Sequence, residues 1–251
     1  MRLTVVGSSG SYPGPDSPAS CYLLESDHEG RTWRILLDLG SGALGPLHRY
    51  ADPLAIDGVF LSHLHADHCL DLCGYHVLRR YHPDGPQPRV PVWGPPGTAD
   101  RMARAYDLPL DPGMHDDFDF REHGEPVDLG PFRVEAIRVE HPVHAFGLRV
   151  TADGVTLGYS GDTAPCQGLE DVAREVDLLL AEASFHTLAD NPPGIHLTGA
   201  DCGETAARQG VKRLLLTHVP PWHDPEQSLR EARAAYDGPT SLARAGDVIE
   251  L

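Results

Sequence analysis

Four side chains able to hold a metal ion stand within six residues, in the run His63-Leu64-His65-Ala66-Asp67-His68. The run follows the apolar segment Ile56–Leu61, read as a buried strand, and precedes a stretch with helical spacing, His68–Tyr81. Alternate residues of an extended segment point the same way, so His63 and His65 can share one ion. Asp67 and His68 fall where the chain turns into the helix, and they can address a neighbouring ion. The alternative is a solvated polar loop, which a buried strand leading directly into four ligand types disfavours. Imidazole and carboxylate suit Zn²⁺, and Mn²⁺ or Fe can use the same donors. Two such ions about 3.5–4 Å apart generate hydroxide near neutral pH and clamp the oxygens of an in-line displacement.

A site of this kind needs elements to hold it. Four apolar segments end in polar residues: Val59–His63, Leu157–Asp162, Leu178–Glu182 and Leu214–His218. Ligands of α/β proteins gather at the carboxyl ends of strands, so these four ends are expected to face one crevice. Further strands are predicted at Leu3–Gly7, Cys21–Glu25, Trp33–Asp38, Val90–Trp93, Phe132–Val139, Phe146–Thr151 and Val248–Leu251. Asp153-Gly154 signals a hairpin. Helices are predicted near Gly199–Gln209, Pro225–Tyr236 and from an N-cap at Thr98 to about Tyr106. Strands followed by helices, twice over, predict an α/β fold with two sheets inside and helices outside: a four-layer αβ/βα sandwich in one domain over residues 1–251.

The chain resembles the metallo-β-lactamase-fold hydrolases, nearly end to end. The run from His63 to His68 matches their H-x-H-x-D-H signature, and Asp38-Leu39-Gly40-Ser41-Gly42 resembles their early D-x-G-x-G turn. His141, Asp162 in Ser160-Gly161-Asp162-Thr163, and His218 resemble the third histidine, the bridging aspartate and the last ligand. The resemblance implies two divalent ions. His63, His65 and His141 would hold the first, Asp67, His68 and His218 the second, with Asp162 between them and Asp67 also orienting the nucleophile. Glu182-Ala183-Ser184 followed by His196-Leu197-Thr198 resembles the phosphodiesterase branch that includes the tRNA-processing endonuclease RNase Z. That assigns His196 as general acid for the leaving oxygen, with Glu182 orienting it. RNase Z carries a long tRNA-clasping arm between the third histidine and the bridging aspartate. Here those residues are 21 positions apart and the hairpin uses nearly all of them. The loop Gly14–Ser20 and Arg79-Arg80-Tyr81-His82-Pro83 resemble a smaller bacterial group that includes atypical class II cyclic-AMP phosphodiesterases.

Composition points the same way. Twenty Lys and Arg stand against 37 Asp and Glu, a net charge of −17. No stable nucleic-acid complex or anionic-membrane surface is expected, because phosphate backbones need a basic footprint. Two divalent ions with two aspartates and a hydroxide leave a small local positive charge, which favours a small anionic phosphodiester such as a 3′,5′-cyclic nucleotide. The competing expectations are an RNA 3′-end endonuclease, and an ester, thioester or lactam hydrolase of the same fold. The apolar runs are too short to span a membrane, and five cysteines without a paired framework fit a cytoplasmic enzyme. A homodimer is compatible with these features. Cys69 and Cys73 are read as buried apolar residues on one helix. His144 is expected at the pocket rim. Trp222, His223, Phe185 and His186 could wall a base pocket or pack on the surface. His28, His48, His115 and His123 are expected to be exposed.

Overall fold

Apolar residues alternate between two faces along the central strands, and that alternation sets the layers. The computed structural model describes residues 1–251. Its strands are β1 (Arg2–Gly7), β2 (Cys21–His28), β3 (Arg31–Leu37), β4 (Gly58–Phe60), β5 (Val90–Gly94), β6 (Phe118–Glu122), β7 (Val127–Leu129), β8 (Phe132–Arg138), β9 (Phe146–Ala152), β10 (Val155–Tyr159), β11 (Leu178–Glu182), β12 (Leu214–Thr217), β13 (Thr240–Leu242) and β14 (Val248–Glu250). The helices are α1 (Leu44–Leu47), α2 (Ala66–Cys69), α3 (Leu72–Arg80), α4 (Thr98–Ala105), α5 (Gln167–Ala173), α6 (Gly199–Gln209) and α7 (Pro225–Ala235). One seven-stranded sheet runs β14-β1-β2-β3-β4-β5-β6 and the other β13-β12-β11-β10-β9-β8-β7.

Between the sheets lie Tyr22, Leu24, Ile35 and Leu37 of the first, against Leu148, Leu157, Leu178 and Leu180 of the second. The intervening residues face outward. Cys21, Leu23 and Leu36 pack under Leu47, Leu72, Tyr75 and Met102 of the first helical layer. Leu179 and Ala181 pack under Leu169, Cys202 and Leu229 of the second. The expected αβ/βα sandwich is therefore the observed one. Strands β3 to β6 run parallel, as do β10 to β13, so β4, β10, β11 and β12 all deliver their polar ends to one edge of the sandwich.

Several local expectations are corrected. The helix read over His68–Tyr81 is two helices, broken at Leu70–Asp71. Asp71 is used elsewhere: its amide donates to Leu39 O at 3.2 Å, and its carboxylate accepts from the amides of Gly42 and Leu44 at 3.0 and 2.8 Å. Cys69 and Cys73 consequently sit on different helices, Cys69 buried and Cys73 half-buried. Thr98 does not cap α4. Gly97, with φ 84°, stands at the cap, and the Thr98 hydroxyl donates to Pro95 O at 2.7 Å. His123 is not exposed. It is half-buried, its Nε2 bonds Leu61 O at 2.8 Å, and its ring rests on Phe146. His28, His48 and His115 are exposed, as expected. No helix is long and apolar enough to cross a membrane.

Candidate metal centre

The loop after β4 carries His63 and His65 to the polar edge, and the short α2 that continues it carries Asp67 and His68; this stretch can approach because Gly40 makes room. A Cβ on Gly40 would stand 1.9 Å from Asp67 O, so any side chain there would push the loop away. His141 comes from the turn between β8 and β9, Asp162 from the end of β10, and His218 from the end of β12. His218 is held at φ 56°, a conformation that costs a non-glycine residue about 1 kcal/mol or more and recurs where side chains are aimed for function.

These residues form two donor groups. His63, His65, His141 and Asp162 make one, and Asp67, His68, Asp162 and His218 the other. Within each group the ligand atoms all lie within 4.8 Å of one another. Asp162 belongs to both: Oδ2 lies 3.7 Å from His63 Nε2, while Oδ1 lies 3.2 Å from His68 Nε2 and 3.5 Å from His218 Nε2.

The hydrogen bonds around the cluster assign the tautomers. His68 Nδ1 donates to Asp38 Oδ2 at 2.7 Å, since a carboxylate only accepts. Ser184 Oγ gives its proton to His218 O at 2.9 Å and therefore accepts from His218 Nδ1 at 2.8 Å. Ser62 Oγ gives its proton to Asp38 Oδ2 at 2.8 Å and accepts from His63 Nδ1 at 3.1 Å. His141 Nδ1 donates to Ile195 O at 2.9 Å. While the rings are neutral, the opposite nitrogens of all four are left as lone pairs turned inward. His68 Nε2 and His218 Nε2 stand 3.0 Å apart, and His65 Nδ1 lies 3.0 Å from His63 Nε2 and 3.3 Å from His141 Nε2. Lone pairs at that separation repel unless a proton or a cation lies between them. Asp162, 2 % exposed, keeps Oδ1 buried with no hydrogen-bond partner. Convergent lone pairs beside an orphaned buried carboxylate oxygen fit divalent cations.

The electrostatics agree. Burial resists ionising Asp162, but His218, His68 and His63 override it and hold the carboxyl well below the usual range. Burial likewise resists charging Asp67, and His218 and His68 override it. Burial holds His63, His65 and His141 below the ordinary imidazole value. His68 behaves oppositely: Asp162 and Asp38 outweigh burial and draw a proton onto it. Negative charge buried here attracts whatever positive charge is available.

His196 stands beside the cluster, with ring centroids 5.4 Å from His141 and 5.8 Å from His218. Its Nδ1 is bonded to Glu182 Oε1 at 2.8 Å, and its Nε2 makes no hydrogen bond within the chain. Burial lowers its basicity, but Glu182 more than compensates and lifts the imidazole to about 9. Glu182 is itself fully buried and fixed by the amides of Thr163 and Ser184 at 3.1 and 3.0 Å. His144 is exposed and joins neither donor group. Sequence reasoning did not assign Asp38 a role beyond its turn motif. The structure makes it a hub that accepts from Ser62 N, Ser62 Oγ, His68 Nδ1 and the Tyr159 hydroxyl, the last at 2.6 Å. Ser184 and Ile195 O, which orient His218 and His141, were also unassigned.

The family described as the beta-lactamase superfamily domain matches residues 33–219. An uncharacterized protein of Mycobacterium tuberculosis is 45 % identical across the whole of this chain and 92 % of its own length. The probable metallo-hydrolase YhfI of Bacillus subtilis is 26 % identical over the full length of both chains. The crystal structure of YhfI, a metallo-beta-lactamase fold protein, superposes with a TM-score of 0.86 over 99 % of this chain and 98 % of that one. A ribonuclease Z of Myxococcus xanthus is 26 % identical over this whole chain and 98 % of its own.

Proposed function

The chain belongs to the beta-lactamase superfamily and is a metal-dependent hydrolase, and from that premise we propose that it hydrolyses a small phosphodiester, a 3′,5′-cyclic nucleotide such as cyclic AMP. His63, His65 and His141 would hold one divalent ion, Asp67, His68 and His218 a second, with Asp162 shared; Zn²⁺ suits these donors. When bound, such a pair supplies an activated water near neutral pH and neutralises phosphate oxygens. Asp67 accepts a hydrogen bond from the attacking water and orients it. As the new oxygen–phosphorus bond forms, the bond to the ribose oxygen breaks, and His196 gives that oxygen its proton. Glu182 holds the His196 ring by Nδ1 and keeps it charged, so the free Nε2 is the donating atom.

The observation that carries this reading is the Glu182–His196 pair beside the donor cluster: Glu182 occupies His196 Nδ1 at 2.8 Å, and the pair lies outside the two groups that share Asp162, although its ligand atoms come within 4.8 Å of one on His218. The size of the substrate rests on the connection between His141 and Asp162. Strands β9 and β10, joined at Asp153-Gly154, occupy it and leave no arm to clasp a polynucleotide. The net charge of −17 weighs against one as well.

His196→Ala tests the assignment. The variant should keep its metal content and lose about 10²–10⁴-fold in turnover on a cyclic nucleotide, whose alkoxide leaves poorly. It should lose much less on bis-p-nitrophenyl phosphate, whose nitrophenolate needs no proton. Equal losses on both substrates with metal intact would show that His196 positions the phosphate and does not protonate the leaving group.

A further inference from the structure

Two aromatic rings stand in solvent on the segments that flank the His218 turn. Trp222 is 60 % exposed and Tyr12 46 %, and their ring centroids lie 5.4 Å apart with planes inclined by 34°. The other two tryptophans behave differently: Trp33 is half-buried and Trp93 is 4 % exposed. Both exposed rings are tied to the backbone of His218. Trp222 follows it by four residues, through Pro220-Pro221, so the two Cα atoms are at most about 14 Å apart. Tyr12 projects from the loop after β1, which lies directly on the end of β12. His218 N donates to Ser8 O at 3.0 Å and Gly10 N to Val219 O at 3.2 Å. A Cβ on Gly10 would meet His218 O at 2.2 Å, so glycine there allows the loop to lie so close.

The ring row continues. Trp222 lies 6.1 Å from His223, and His223 lies 4.2 Å from His186. Phe185, next in sequence to His186, meets the His196 ring edge-on at 5.0 Å. Rings thus run from Tyr12 through Trp222 and His223 to His186, and the neighbouring Phe185 meets the proton donor, both segments following the ends of β11 and β12. Planar heterocycles stack on such rings whatever their hydrogen-bonding pattern.

We propose that Trp222 and Tyr12 form the platform on which the base of a nucleotide substrate stacks while its phosphate occupies the donor cluster. This rests on the phosphodiesterase reading for the identity of the substrate, and it adds which residues recognise the base. The contact is sequence-tolerant, so it favours nucleotides over base-free phosphodiesters more than one base over another.

The test uses metal-loaded protein, 5′-AMP and ribose 5-phosphate. AMP should quench the exposed tryptophan emission in a saturable way, and ribose 5-phosphate should not. By equilibrium dialysis, Trp222→Ala should weaken AMP binding by about 5- to 150-fold, the range that one aromatic–base stack supports, and leave ribose 5-phosphate affinity unchanged. Tyr12→Ala should give a smaller loss in the same direction. Equal AMP affinity in Trp222→Ala and the parent protein overturns the platform, and the rings are then surface packing. If the parent hydrolyses no cyclic nucleotide while AMP affinity still depends on Trp222, the platform stands and the phosphodiesterase reading falls.

Discussion

The two donor groups share Asp162 and differ in almost everything else. In the group of His63, His65 and His141, one ring is exposed and one half-buried. In the group of Asp67, His68 and His218, every member is buried. The buried group is braced from behind by Asp38 on His68 and Ser184 on His218; in the other group Ser62 holds His63 and Ile195 O holds His141, while the exposed His65 bonds only to the other two histidines of its group. One side of the centre is thus built into the core and the other is open to whatever arrives from solvent. A rigid inner half and an accessible outer half suit a centre that must both keep its metal and admit a substrate.

Removing the shared residue should erase the difference. Asp162→Ala is expected to weaken both sites and abolish turnover, a larger loss than the 10–100-fold typical of losing an outer partner. Metal analysis after dialysis checks it, and two fully loaded sites with normal activity would remove the bridging role.

Next in size, the two halves should respond unequally in chelator-treated protein. His68→Ala leaves Asp38 and Asp162 buried beside an empty space, at a cost of about 3–5 kcal/mol. His65→Ala, at an exposed position, should cost about 0.5 kcal/mol or less. Urea unfolding of both variants measures the gap. Equal losses would mean that the buried half is no more built in than the open one.

A finer probe is Asp38→Asn. The amide can accept from Ser62, but it no longer offers a charged acceptor to His68 Nδ1. Loading of the inner ion should weaken about 10–100-fold, with the outer one little changed. Competitive chelator titration resolves the two, and parallel weakening of both would contradict the division.

How much of this is legible in the sequence varies with the distance over which each residue acts. The run His63–His68 is contiguous, so its chemistry can be read from spacing alone. The layers are legible because the central strands alternate two apolar faces, as at Leu178–Ala181. The role of Asp38 is not, since its partners Ser62, His68 and Tyr159 lie 24, 30 and 121 residues away. Neither is the break before α3, because nothing local reveals that Asp71 is claimed by Gly42 and Leu44. Strand β6 is missed because Asp119, Arg121 and Glu122 interrupt its apolar pattern, which an edge strand tolerates. His123 looks like a surface histidine until Leu61 O, from a distant strand end, reaches it.

The most direct test sets 3′,5′-cyclic AMP against a 3′-extended tRNA precursor, on metal-analysed protein at physiological salt. Hydrolysis of cyclic AMP to 5′-AMP is expected, stopped by chelation and restored by Zn²⁺, together with RNA binding that is weak and falls further with salt. Specific cleavage of the tRNA 3′ extension with salt-tolerant binding, and cyclic AMP left intact, would contradict the account.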